Sequence, residues 1–461
     1  MPTMENKLSP ATLATEILAP RRPPRKARLT ETDAVPVREV EIVTAEELRH
    51  ESQVKRKAKP PTDCFVSSSS ATDRRVVGVE IDSEVLFGFL SAAEKAIPST
   101  KALPFLSNVR LGYEPDSDRM TVEAASTSLW TAVAVGVAKP GGAGFSAIVP
   151  ARRARSAANA MRQNFKTVPV GVSDGRFWIG KHCMPQTADQ AIFPSRPLIR
   201  AWEARAVVPA FYFEEICNRV MAATSKDPTR PGLHGVLFDF SLDANRTVVC
   251  TAVGTDGVRL HILELPQMKV QPRGSVLPPG IVVGEQFFRY LRTVANREWT
   301  AIEISETQIV ARGADYQAVA DATMKGATGT QGLENWRSVN AGHRGHWSVD
   351  RLELERVLKK LDGGEGDTRI ELAVDVLRDE LSITSAGPSG RRFKESIGAR
   401  RFDGPASVNV AIDASFLLTA VLACKSGLIR LGFAPTKDQA TSPVTIRGED
   451  EQFKAIVMPI G

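Results

Sequence analysis

Six times along this chain of 461 residues an apolar residue is followed by a helix-starting residue and then by a stripe at the same four offsets. The starts are Ile81-Asp82, Val149-Pro150, Val208-Pro209, Val283-Gly284, Val349-Asp350 and Ile412-Asp413, and Asp, Pro and Gly all suit a helix N-terminus. Offsets 4, 7, 8 and 11 from each cap share one face of a helix with 3.6 residues per turn. They hold Leu86, Phe89, Leu90 and Ala93; Ala154, Ala157, Ala158 and Met161; Phe213, Ile216, Cys217 and Val220; Phe288, Leu291, Arg292 and Ala295; Leu354, Val357, Leu358 and Leu361; and Leu417, Ala420, Val421 and Cys424. Arg292 alone breaks the stripe. Every second start is separated by 127 and 141 residues in one set and by 134 and 129 in the other. Independently, Leu106-Ser107-Asn108-Val109 returns as Leu233-His234-Gly235-Val236, 127 residues later. A repeat within a repeat predicts three similar domains, each with two helices packed on sheet. Between the helices most residues alternate as strands joined by polar turns such as Pro115 to Asp118 and Leu242 to Asn245. The expected class is α+β with large antiparallel sheets.

Residues 1 to 75 lack this periodicity. They are rich in Pro, Lys, Arg, Glu and Ser and end in Ser67-Ser68-Ser69-Ser70, the composition of a disordered extension. A transient helix over Ala45 to Lys57 and a solvated basic cluster, Lys55-Arg56-Lys57-Ala58-Lys59, are the most structure they suggest. Three domains are expected beyond it, over 76–198, 199–340 and 341–461. No apolar run reaches the ~20 residues of a membrane-spanning helix, and the first 30 residues lack the apolar core of a secretory signal. Cys64, Cys183, Cys217, Cys250 and Cys424 are odd in number and far apart, as suits reduced core residues of a cytoplasmic protein. Net charge is +6, about half of it from the extension, where 14 Lys or Arg oppose 11 Asp or Glu. That excess fits a polyanionic partner without identifying one.

A search for chemistry finds little. There is no GxxxxGK[ST] loop, HExxH, GxSxG or strand-to-helix GxGxxG. His343 and His346 are the only neighbouring histidines and lie in a Gly-containing linker. Carboxylate pairs such as Glu214-Glu215 fall on helix faces where solvated charge is ordinary. No cofactor or metal is expected, and binding or scaffolding is favoured over catalysis.

Three motifs now join the repeat. Leu103-Pro104-Phe105-Leu106-Ser107-Asn108, Thr255-Asp256-Gly257-Val258-Arg259-Leu260 and the terminal Val457-Met458-Pro459-Ile460 resemble, in order and spacing, motifs of the bacterial β sliding clamp, the processivity subunit of DNA polymerase III. Val149-Pro150-Ala151-Arg152 is similar to its helix start. The resemblance covers residues 76 to 461. It implies a homodimer of two three-domain crescents joined head to tail around duplex DNA, helices lining the hole and sheets forming the outer wall. It implies no catalytic residue.

For duplex DNA, bound without sequence preference through its phosphates, the resemblance points to Lys101, Arg152, Arg153, Arg230, Arg289 and Arg356, with Arg155, Arg162, Arg351, Lys359 and Lys360 as further helix-face cations. For short peptides of polymerases, the clamp loader and repair proteins it implies an apolar pocket of Leu233, Thr255, Gly257, Val258, Arg259, Leu260, Val339, Val457, Met458, Pro459 and Ile460. Departures from the family pattern are Val258 for a common His, Glu334 for a pocket proline, Ser338 for a common arginine, and a chain that stops at Gly461. They keep open an alternative, a clamp-like accessory, decoy or resistance form with other clients. A catalytic DNA-processing enzyme is the third reading, disfavoured by the lack of an acidic cluster on strands. Because the extension cannot build a core, deleting residues 1–75 is expected to leave the thermal midpoint and self-association almost unchanged; a fall of many degrees on differential scanning calorimetry would show that it packs on the body.

Overall fold

The computed structural model describes residues 77–460 except 99–103, 141–142, 188–190, 192, 228, 275, 296–298, 327–332, 334, 340–344, 363–367, 387–391 and 436–437. Lys101, Cys64, His343 and the extension lie outside the described residues.

All six expected helix starts are followed by helix. They are α1 (Ser83–Ala96), α2 (Ala151–Arg162), α3 (Phe211–Glu215), α4 (Glu285–Val294), and, after a short α5 (Trp336–Val339), α6 (Arg351–Asp362) and α7 (Ala414–Ala423). The aspartates cap as their chemistry dictates: Asp82 Oδ1 accepts from the amides of Glu84 and Val85, Asp350 from Glu353, and Asp413 from Ser415 and Phe416. Each such cap is worth about 1 kcal/mol. The stripes face inward, with Leu86, Ala154, Phe213, Leu291, Leu354 and Leu417 fully buried, while Arg292 is exposed. The helix begun by α3 widens into a π turn over Ile216–Val220. There the strand Val248–Thr255 runs against it so closely that a Cβ on Gly254 would stand 2.5 Å from the Val220 carbonyl oxygen.

Each repeat has the same order, with a helix after its first strand and another in its middle. All strand pairs are antiparallel. One sheet of four, in the order Val77–Asp82, Thr167–Ser173, Arg176–Ile179, His182–Pro185, stands alone. The other strands form one continuous hydrogen-bonded succession. Two pairings carry it across the repeats: Leu129–Gly136 with Tyr316–Met324, and Arg259–Glu264 with Phe453–Val457. On the helix side Ile429, Leu431, Ile446, Phe453 and Ala455 join the main core, whereas the alternate face carries Leu237, Val253, Ile262 and Ile456 in a separate cluster beneath Leu333 and Trp336.

At the second crossing a buried cation ties the repeats together. Arg219, 3% exposed, donates to the Ala423 carbonyl at the end of α7 (2.7 Å), to Asp450 (2.6 Å) and to Glu215 (3.2 Å), and its guanidinium lies 4.4 Å over the Phe453 ring. The Arg219 carbonyl in turn meets Nδ1 of His261 at 2.6 Å, and that imidazole sits edge-on to Phe453. His261 is completely buried with no partner for Nε2. Burial, above all, holds its pKa down to about 4, against 6.5 for a free imidazole. The unfolded chain therefore binds a proton that the folded one refuses, and stability rises with pH through that window. Urea unfolding should show stability falling between about pH 6.5 and 4, by up to ~3 kcal/mol, and His261→Phe should flatten that slope relative to the parent.

Candidate functional site

The turn Thr255 to Leu260 is fixed by its own hydrogen bonds. Asp256 Oδ1 accepts from the amides of Val258 and Arg259, each at 3.0 Å, and Oδ2 accepts from Arg259 Nε at 2.8 Å. Thr255 Oγ1 donates to the Arg259 carbonyl and accepts from the Gly257 amide. Gly257 has φ +94°, a conformation that a side chain would strain. The Met458 amide donates to the Val258 carbonyl at 2.9 Å, so the chain end is tied to this turn.

A second wall comes from the segment joining the second and third repeats. Asp239, 5% exposed, accepts from Trp336 Nε1 (2.8 Å), Arg337 Nε (3.0 Å) and Lys325 Nζ (3.1 Å). Three donors on one buried carboxylate hold the indole of α5 against the sheet.

Between these walls lies a small pocket lined by Thr255, Gly257, Val258, Arg259, Leu260, Asn335, Trp336, Val339, Ile456 and Met458. Of the residues expected there, Leu233 lies beneath it in the cluster with Leu260 and Trp336. Val457 is fully buried on the helix side. Pro459 and Ile460 do not line it, and the Ile460 amide bonds the Ala411 carbonyl instead. Asn335, Trp336 and Ile456 complete the wall. Strand alternation from Met458 marks Ile456, since residues two apart share a face. The free volume is only ≈ 20 Å³, room for about one water. An entering apolar side chain must displace Met458 or Val339, and Met458 is the more adaptable of the two.

The cations expected at DNA are mostly matched by carboxylates. Arg289 pairs with Glu285 at 3.0 Å and Arg356 with Glu395 at 2.7 Å; Arg155 and Arg162 meet Glu94 and Glu84, each at 2.7 Å. Arg230 donates to the Asp256 carbonyl at 3.0 Å and so buttresses the pocket turn. Arg152 is 85% exposed, 3.7 Å from Glu94, and Arg153 is exposed. The field of the helix face is thus weaker than a count of Arg and Lys gives.

One repeat earlier, a cleft of ≈ 500 Å³ uses the corresponding turn, Thr127-Ser128-Leu129. Its deepest carboxylate, Glu285, is opposed by burial but is lowered overall by hydrogen bonds from Lys226, Thr224 and Arg289. At the position of Leu260 this repeat has Trp130, 4% exposed among Ala125, Val310 and Val319. The indole fills the place where the second repeat leaves its pocket.

The sequence matches no protein-family model and no curated protein. Solved structures do match. The DNA polymerase III β subunit of Thermotoga maritima superposes with a TM-score of 0.70 at 15% identity, over 83% of this chain and 99% of that one. The fold is that of a bacterial sliding clamp. The Bartonella birtlesii clamp, bound to griselimycin, gives 0.68 at 18% identity over 83% and 99% of the two chains, and the Caulobacter crescentus clamp gives 0.68 at 17% over 84% and 100%. Among the described residues no group of three or more His, Cys, Asp or Glu is placed to hold a metal ion, and no helix is long and apolar enough to cross a membrane. Removing residues 458–461 is expected to weaken an apolar docking peptide by about 2 kcal/mol or more, roughly thirtyfold in Kd. The strand Phe453–Val457 stays intact in that variant. Fluorescence anisotropy with an unchanged Kd would remove the pocket from consideration.

Proposed function

We propose that this protein is a DNA sliding clamp, a non-catalytic processivity factor that closes around duplex DNA as a head-to-tail homodimer and holds its clients by short peptides. The observation that carries the reading is the set of sheet edges. Two crossings between repeats are made within the chain, by Leu129–Gly136 with Tyr316–Met324 and by Arg259–Glu264 with Phe453–Val457. The equivalent third pair is left open. Among the described residues, His182–Pro185 pairs only with Arg176–Ile179, and residues 392–398 pair on one side only, with Glu380–Ala386. Unpaired edges of this kind are satisfied by another strand. A second copy offers both, so joining the edges head to tail makes two identical new crossings and closes a ring.

Three domains over 76–198, 199–340 and 341–461 follow as the ring's units. The helices then face the hole, where the freest cations, Arg152 and Arg153, meet phosphates without reading bases; Arg289 and Arg356 contribute less because Glu285 and Glu395 offset them. Function is topological. A client held beside the primer end rebinds locally, at high effective concentration. Polymerase, clamp loader and repair proteins are the expected clients, in the cytoplasm. One observation favours an accessory clamp with a changed client set: the pocket lined by Trp336, Val339 and Met458 leaves only ≈ 20 Å³ free.

The ring is tested by loading the protein onto nicked circular DNA with its loader, washing in high salt and then cutting the circle. Direct phosphate binding fails steeply with salt, whereas a ring is kept on by its own contacts. Retention on the circle followed by rapid loss after cutting is expected. Equal loss from circular and linear DNA in high salt would falsify the ring.

A further inference from the structure

The threefold repeat allows one row of residues to be followed through three chemical settings. The row lies on the sheet face turned away from the helices, at the residue preceding the last apolar residue of each repeat's first strand. In the first repeat it holds Glu80 beside Lys139, which form an ion pair at 2.9 Å. In the second, Lys269, Val207, Ala301 and Arg312 stand side by side across four strands, and Glu303 on the Ala301 strand takes Arg312 at 3.2 Å and Arg205 at 3.1 Å. The third repeat reads Arg400, Ser348, Arg430, Arg447 and Lys454. It holds four basic residues and no acid.

Arg430 is directly opposite Arg447, and Arg447 directly opposite Lys454. Like charges so placed repel, and the row shows the strain. Arg447 Nε is buried with no hydrogen-bond partner. Burial first, then Arg447, lowers the Lys454 ammonium to about 8. Among the described residues Arg400, Arg430 and Arg447 form no ion pair. Asp350 and Glu449, two residues on from Ser348 and Arg447, bond none of them, and Asp350 instead caps α6 through the Glu353 amide. Arg400 and Arg430 are exposed, with the Arg430 guanidinium 5.5 Å over a Phe402 ring that is itself 73% exposed. With strands ~4.8 Å apart, the row is about 19 Å long. One end adjoins the pocket, because Lys454 precedes by two residues the Ile456 that lines it.

A local rule broken in one repeat and obeyed in the other two marks a functional position. We infer that the row Arg400, Arg430, Arg447 and Lys454 binds a carboxylate-rich segment of the protein whose apolar anchor occupies the neighbouring pocket. Guanidinium forks match carboxylates two bonds at a time, and relief of the repulsion within the row is added to each contact. The source of the segment rests on the clamp reading, in which duplex DNA lies on the helix side of these sheets and docking partners on this one. A pocket this small leaves much of the grip to its surroundings. An acidic flank would supply it, and would select among clients.

The test uses the full-length protein and three fluorescein-labelled probes: octaglutamate, octaglutamate continued into Leu-Leu-Phe, and a twelve-residue thymidine oligonucleotide. Octaglutamate should bind at low salt and lose at least tenfold in R400Q/R430Q, two exposed positions whose change leaves folding intact, and again in R447Q. R205Q/K269Q removes the same charge from the same face of the second repeat and should change little. The Leu-Leu-Phe extension should tighten binding to the parent, and removal of residues 458–461 should cancel that gain alone. If the extension adds nothing while octaglutamate stays row-dependent, the row stands and the pocket reading fails. Octaglutamate that binds the parent and R400Q/R430Q equally overturns the inference. So does an oligonucleotide that depends on the row while octaglutamate does not bind, which would assign the surface to single-stranded nucleic acid.

Discussion

Everything in this molecule depends on the last strand of one repeat finding the edge of the one before it. Phe453–Val457 completes the sheet of the third repeat through Val444–Gly448 and, on its other side, extends the sheet of the second through Arg259–Glu264. A sheet edge exposes unpaired amide and carbonyl groups, so each repeat is incomplete until the next supplies a strand. The same strand positions the pocket, since Met458 can bond the Val258 carbonyl only when Val457 is in register with Arg259. Pocket geometry is therefore a by-product of sheet continuity. Arg219 reinforces the crossing from the helix side, where Glu215, Asp450 and the end of α7 share one guanidinium. Truncating that side chain would leave Asp450 without its cation, the costly way to break a buried pair, whereas Glu215 keeps Lys425.

What the sequence made legible is what is local and periodic. The stripes of α1 to α4, α6 and α7 follow from side chains repeating every 3.6 residues, and the aspartate caps from short-range chemistry. Even the turn Thr255 to Leu260 is local, because Asp256 and Thr255 bond amides within four residues of themselves. Val457 belongs to the pocket by motif, but strand alternation, itself a local pattern, turns it to the core and presents Ile456 in its place. Most of the other differences are non-local. Arg230 and Arg356 read as free cations until the fold brings the Asp256 carbonyl and Glu395 against them, whereas the Glu285–Arg289 pair, four residues apart on α4, is local. Glu395 is 39 positions from Arg356, beyond the reach of any helical pattern. Trp336, two residues after Glu334, lies in a stretch that the family pattern already places at the pocket, but what anchors it is not local. Its role depends on Asp239, nearly a hundred residues earlier, which anchors the indole by its Nε1.

Repeats also show which positions are constrained by folding and which are released for function. On the helix side the three repeats agree in character, with Val208, Val349 and Ile81 all fully or almost fully buried at equivalent positions. Packing to interior density leaves little choice there. On the opposite face the residues are held by less and have diverged further. Leu260 bounds a pocket, but Trp130 at the same place fills one. Glu80 and Glu303 each hold a cation of the first two rows, whereas Arg400, Arg430 and Arg447 form no ion pair among the described residues.

That asymmetry gives the molecule a direction that its backbone symmetry lacks. The joint between the first and second repeats has a large cleft of mixed lining whose Glu285 is already held by Lys226, Thr224 and Arg289. The joint between the second and third has a small apolar pocket beside unneutralised arginines. Apolar anchoring contributes through area removed from water and is insensitive to salt. Arginine and carboxylate contacts are weakened by salt and are set by the partner's sequence. On the proposed clamp reading, placing both at one joint, with the helix side left to DNA, would separate the surface that chooses a client from the surface that slides. In the proposed ring, clients could be changed by side chains on this face alone, because the core stripes lie on the other face and the strand crossing is made by backbone bonds that such substitutions leave in place.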